Sequence, residues 1–198
     1  MSVVEQPRYT VLDGGVLCPA PEIVAAHEAG HATVYLSCGI PVDYVERITV
    51  RVPGATRFGW TNALEDLWVA SSPLPQERKT LRRLLGKAGG LAGELVANAF
   101  DSNYSLRGAN DDVKQIGGAL RDLGLLGLAD VETPGQSIRT AISEAVAVIK
   151  QHAESFHELR RLLVLGGRVT PSTPTTELWG EHDDRRLLDG LRSAAQTR

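Results

Sequence analysis

Aromatic residues are scarce, at 5% of a 198-residue chain. A core must therefore rest on Leu, Val, Ile and Ala, which suits packed helices. Only two cysteines are present, Cys18 and Cys38, too few for a disulfide framework. No apolar run approaches the roughly 20 residues that span a bilayer. Met1 to Thr10 lacks the basic start and apolar stretch of a signal peptide. Neither sign of charge dominates: 21 Lys and Arg stand against 24 Asp and Glu, a formal charge of -3. Nucleic acid and membrane are therefore not expected partners. No GxxxxGK[ST] phosphate loop occurs; Gly14-Gly15, Gly89-Gly90, Gly117-Gly118 and Gly166-Gly167 are pairs without its spacing. These absences exclude a membrane span, a disulfide-stapled scaffold, a strongly basic binder and ATP hydrolysis by this chain. The cytoplasm is the simplest expected compartment.

What is present reads as an ordinary globular chain, with 42% hydrophobic and 23% charged residues. The length fits one domain, or one domain and a short tail. Residues 1–20 read as an irregular lead-in. Pro21 can open a helix, and the Ala-rich run to Cys38 continues it until Gly39 and Pro41 stop it. Residues 44–52 alternate Val and Ile with polar residues, which predicts a half-buried strand. Pro53-Gly54 marks a turn, and residues 57–63 can supply a second strand. A helix is predicted over about 75–100. It carries Gly86, Gly89, Gly90 and Gly93, each costing about 1 kcal/mol relative to Ala. Tolerating four implies that another backbone passes close by. After a loop at 101–109, Asn110 can cap a helix at 111–123. Ser137 can cap a helix running to about 164, and a short helix at 183–194 closes the chain.

One motif carries chemistry: His27-Glu28-Ala29-Gly30-His31, an HExxH pattern inside the first predicted helix. Helix positions four apart differ by 40° and about 6 Å along the axis, so both imidazoles can grip one metal ion. Glu28, beside the first ligand, can accept a proton from water at the metal. Zinc needs a third protein ligand and an open position. Cys38 shares the helix face but lies about 10 Å from His31 along the axis. Cys18 is not positioned by anything in the sequence, and His152, His157 and His182 are lone histidines. Glu94, Asp111 and Asp112 are better candidates, and composition alone does not choose among them.

Several ordered blocks resemble the peptidase domain of FtsH-type zinc metalloproteases. His27 to Ala32 matches that family's HEAGHA. Val45 to Val52 followed by Phe58-Gly59-Trp60-Thr61 is similar to its strand pair. Gly89 to Glu94 is similar to its GGRAAE segment, with Leu91 and Gly93 departing, and Gly108 to Val113 to its GASNDI segment. The helix after Ile138 resembles the long helix that follows there, so the resemblance covers roughly residues 20–165. It implies a mainly α fold with a small β ribbon or sheet, and a zincin-like HExxH helix in a helical metallopeptidase domain. Residues 21–165 would form that domain, and residues 166–198 a tail. It implies one zinc ion held by His27, His31 and Asp112, with Glu94 as a supporting group or alternative ligand. Asp111 would serve only as helix N-terminal charge.

The expected activity is hydrolysis of unfolded or flexible polypeptides, with Glu28 as the base. The strand at 44–52 either pairs with an extended substrate or is plain core structure. The family's membrane anchor and ATPase module are not among these residues, so a separate ATPase is a conceivable partner. A homo-hexamer follows from resemblance alone. Two rivals stand beside this reading. A peptide deformylase would need a Cys ligand and a glycine-rich segment, neither found in context. A non-catalytic helical interaction module with a structural or vestigial metal site would have no need for Glu28.

Overall fold

The computed structural model describes residues 9–11, 17–48, 58–100, 110–125, 135–171 and 179–196. The fold is mainly helical with a small antiparallel sheet. Among the described residues, no helix is long and apolar enough to cross a membrane.

Helix α1 (Pro21–Ser37) opens on Pro21, whose missing N–H is not needed in a first turn. It ends where Gly39 takes φ 76° and the Ile40 N–H donates back to the Tyr35 carbonyl at 2.9 Å. Ile23, Ala26, Ala29, Ala32, Val34 and Tyr35 are all buried. Burial on nearly every face makes α1 the central helix of the fold rather than an amphipathic surface helix.

Helix α2 (Glu65–Ser71) is short, and the sequence reading does not anticipate it. It buries Trp68 and presents Glu65, which accepts the Tyr35 hydroxyl at 2.6 Å and pairs with Lys87 and Arg83. Helix α3 (Gln76–Val96) crosses α1 at its glycines. A Cβ on Gly30 would lie 2.1 Å from the Gly89 carbonyl oxygen, and one on Gly93 would lie 2.2 Å from that of Ala26. The backbone predicted to pass near these glycines is therefore that of α1. At Gly30, Gly89 and Gly93 the missing side chain lets main chain touch main chain, whereas Gly86 and Gly90 face the side chains of Tyr35 and of His27 and His31.

Helix α4 (Asn110–Asp122) packs on α3. The single helix expected to run to 164 is two, α5 (Gln136–Gln151) and α6 (Ala153–Gly166), separated at His152. The chain turns there because the halves cover different partners, α5 lying on α3 and α6 on α1. The apolar stripe survives the turn, with Ile138, Ala145, Ile149, Phe156 and Leu163 all buried.

The lead-in is not wholly irregular: β1 (Tyr9–Val11) and β2 (Leu17–Pro19) pair antiparallel. The second sheet holds β3 (Val42–Arg47), β4 (Gly59–Ala63) and β5 (Arg168–Val169), in the order β4-β3-β5. Val45 faces Thr61 on one side and Val169 on the other, and Arg47 faces Gly59. The predicted strand end at 49–52, the Pro53-Gly54 turn and the 101–109 loop lie outside the described residues.

The segment set apart as a tail joins the core. Helix α7 (Glu181–Gln196) buries Leu187, Leu188 and Leu191 and packs on α5. The buried Arg82 bonds Asp184, the Cys38 carbonyl at 3.1 Å and the Trp179 carbonyl at 2.9 Å. The Trp179 N–H donates to the Ser37 carbonyl at 3.1 Å, and its indole N–H to Asp184 at 2.9 Å. Carbonyls at the end of α1 thus find donors in α3 and the chain's last segment. Tail composition conceals this, because Trp179 and Asp184 acquire partners only in the folded chain.

Candidate metal centre

The helical pitch of α1 brings His27 and His31 onto one face, with ring centroids 4.7 Å apart. The first turn of α4 brings Asp112 to them. His27 Nε2 lies 3.0 Å from Asp112 Oδ2, His31 Nε2 lies 3.2 Å from it, and the two Nε2 atoms are 3.1 Å apart. A tetrahedral site with bonds of 2.0–2.1 Å has donor atoms separated by about 3.3 Å. The observed triangle is close to one face of such a site. His27, His31 and Asp112 can therefore hold a metal ion.

The proton positions point the same way. His31 Nδ1–H donates to the Gly86 carbonyl at 2.8 Å, and His27 Nδ1–H donates to Glu94 Oε1 at 2.7 Å. Each neutral ring then carries its proton on Nδ1, which leaves the Nε2 lone pairs bare and turned toward each other and a carboxylate. Three such atoms at 3.0–3.2 Å repel unless a proton on a ring or a cation sits among them. Glu94 Oε2 adds to the imbalance, being buried without a hydrogen-bond partner among the described residues. Three carboxylates, Glu28, Glu94 and Asp112, surround the rings, and among the described residues no Lys or Arg pairs with them. The donor set and its charge fit a divalent cation.

Titration reflects this crowding. Burial alone would lower the His27 pKa, but hydrogen bonds and charge from Asp112 and Glu94 outweigh it and hold the imidazole well above its ordinary value. Burial would raise Asp112, but the two histidines outweigh it and hold the carboxyl well below the usual carboxylate range. Burial pushes Glu28 up, partly offset by His27, His31 and Thr61.

Space at the site comes from Gly90. A Cβ there would lie 2.5 Å from His27 Nε2 and from His31 Nε2. One turn along α1 from His31, Tyr35 stacks on its ring at 6.3 Å and sits against Gly86.

Glu28 and Glu94 occupy different places. Glu28 is 8% exposed and turns toward β4, where the Thr61 hydroxyl donates to its Oε2 at 2.7 Å. Glu94 stands behind His27 on the Nδ1 side, away from the triangle. Asp111 is exposed in the first turn of α4. Cys18 and Cys38 are buried and lie outside the cluster, and His152, His157 and His182 do not join it. Sequence reasoning assigned no role to Gly59, Thr61, Gly86 or Gly90 in this centre. The Gly59-x-Thr61 spacing on a strand was the available signal for the first two, since it puts both on one face.

β3 is flanked on both sides, by β4 and, at Val45 and Glu46, by β5, and Val45 is fully buried. At Val45 and Glu46 the strand is therefore core structure without a free edge, and its expected continuation at 49–52 lies outside the described residues. The chain matches no protein-family model and no curated protein.

Proposed function

We propose that the chain is a zinc-dependent endopeptidase acting on unfolded or flexible polypeptides. His27, His31 and Asp112 are the zinc ligands, and Glu28 is the general base and acid. One observation carries this reading: three potential ligand atoms converge, with a buried carboxylate at the neighbouring position of the same helix. Zinc in such a site supplies Lewis acidity, which polarises a carbonyl and acidifies water. Glu28 takes the proton of the attacking water and delivers it to the leaving nitrogen. Glu94 and the Gly86 carbonyl fix both rings in the tautomer that offers Nε2.

The resemblance to FtsH-type peptidases supports the same ligand set. An extended substrate would lie along β4, which borders Glu28 and has no second strand partner among the described residues. Cleavage of an already unfolded chain, with no folded structure to pull apart, would proceed without ATP.

The test is zinc analysis together with cleavage of unfolded casein, with and without chelator and without ATP. Glu28→Gln should retain zinc and lose turnover by about 10²–10⁴-fold. His31→Ala should lose the metal. Undiminished turnover by Glu28→Gln would contradict the role given to this carboxylate.

A further inference from the structure

We propose that Gly59 and Thr61 of β4 form a seat that positions the Glu28 carboxylate, Thr61 by a hydrogen bond and Gly59 by leaving room. The catalytic consequence rests on the peptidase reading; the placement of Glu28 does not.

Residues two apart on a strand share a face, and β4 turns Gly59 and Thr61 toward α1. The Thr61 hydroxyl lies 2.7 Å from Glu28 Oε2 and 3.0 Å from the Glu28 main-chain oxygen. The hydroxyl has one proton, and the shorter contact, to the carboxylate, is the one it serves; the main-chain oxygen lies within reach beside it. A Cβ on Gly59 would fall 2.5 Å from Glu28 Cγ and Oε1 and 2.8 Å from Cδ. The other flank of the carboxylate therefore fills the volume that any side chain at 59 would claim. Among the described residues, Thr61 supplies the hydrogen bond that the Glu28 side chain accepts.

The type of partner matters. Glutamate has three freely rotating side-chain bonds, and holding it in one pose costs entropy. Arg or Lys would fix it but would also neutralise the charge a base requires. A neutral hydroxyl and a missing Cβ fix the pose and leave the charge. Misplacing a reacting group by 1 Å can cost about a hundredfold in rate. Thr61 and Gly59 are therefore positioning residues that act through Glu28.

The experiment uses the full zinc-loaded chain and three variants, Thr61→Val, Thr61→Ser and Gly59→Ala. Thr61→Val keeps shape and removes the donor. Gly59→Ala presses on Cγ, Cδ and Oε1 of a flexible side chain and not on backbone, so the Glu28 side chain yields before the fold does. Zinc content should be unchanged in all three, because none touches a ligand. With unfolded casein, kcat should fall about ten- to hundredfold in Thr61→Val and Gly59→Ala, with KM little changed. Thr61→Ser should recover most of the loss. Crystal structures supply the second readout. Glu28 should hold one position against β4 in the parent and in Thr61→Ser, and leave it in the other two. An unmoved Glu28 in Thr61→Val, a parent-like kcat in that variant, or a Thr61→Ser as impaired as Thr61→Val would overturn the proposal. A parent chain without chelator-sensitive cleavage would overturn the peptidase reading instead, and the crystallographic comparison would decide the seat by itself.

Discussion

Replacing Gly90 by Ala tests the centre without touching any ligand. The new Cβ would lie 2.5 Å from His27 Cε1, His27 Nε2 and His31 Nε2. Comfortable carbon contacts begin at about 3.5 Å, so each ring tip must retreat by about 1 Å. Metal–ligand distances tolerate only about 0.2 Å, so the shift exceeds the tolerance about fivefold. Disturbing even outer partners of a metal costs about 10–100-fold in affinity, and displacing two ligand atoms should cost at least about a hundredfold. The fold should survive. Alanine in a helix gains about 1 kcal/mol over glycine, and the clash falls on side-chain ends. The assay is zinc competition against a chromophoric chelator, paired with a thermal melt of the metal-free chain. Parent-like zinc affinity in Gly90→Ala would show that the two Nε2 atoms do not converge beside this glycine, and the ligand assignment would fall with it.

Other expectations concern stability. Gly30→Ala drives a Cβ to 2.1 Å from the Gly89 carbonyl oxygen; this should cost about 3 kcal/mol in urea unfolding, despite the helix-propensity gain. Gly118→Ala, with nothing within 4 Å, should instead raise Tm by about 2–4 °C. Asp184→Ala leaves the buried Arg82 guanidinium without its carboxylate and should cost about 3–5 kcal/mol by the same assay. In metal-free chain, the raised His27 contributes stability that is complete below its ordinary value of 6.5 and lost as pH rises through the raised one. The depressed Asp112 contributes stability present above 3.8 and lost as pH falls. Tm of the chelated chain should therefore be highest between about 4 and 6.5. The zinc-induced gain should grow with pH as protons leave the rings. An unchanged pH profile in His27→Ala would refute the assignment.

Local signals carried much of the fold. Pro21, Gly39 and the HExxH spacing define α1 almost to the residue, because a helix start, stop and pitch are properties of the nearby chain. Glycines in α3 revealed a close neighbour but not its identity. The turn at His152 left no mark, since neither Gly nor Pro causes it and only the packing of α5 and α6 on different helices requires it. At the site, the two imidazoles were legible because one helix holds both. Asp112 and Glu94 were not separable by composition. They differ only in approach, one to Nε2 and the other to Nδ1 of the same ring, and approach is set by how α3 and α4 stack. Gly59 and Thr61 were missed because their contact joins a strand to a helix across the fold.

The clasp at the end of α1 has a consequence for biosynthesis. The segment bearing both histidines is translated well before the groups that close its last turn, because Trp179 and the Asp184 that anchors Arg82 follow it by about 140 residues or more. Until then, the nascent chain carries its metal-binding helix with an open end. The last turn of α1 therefore becomes complete only once residues 179–184 have been made, long after the helix itself.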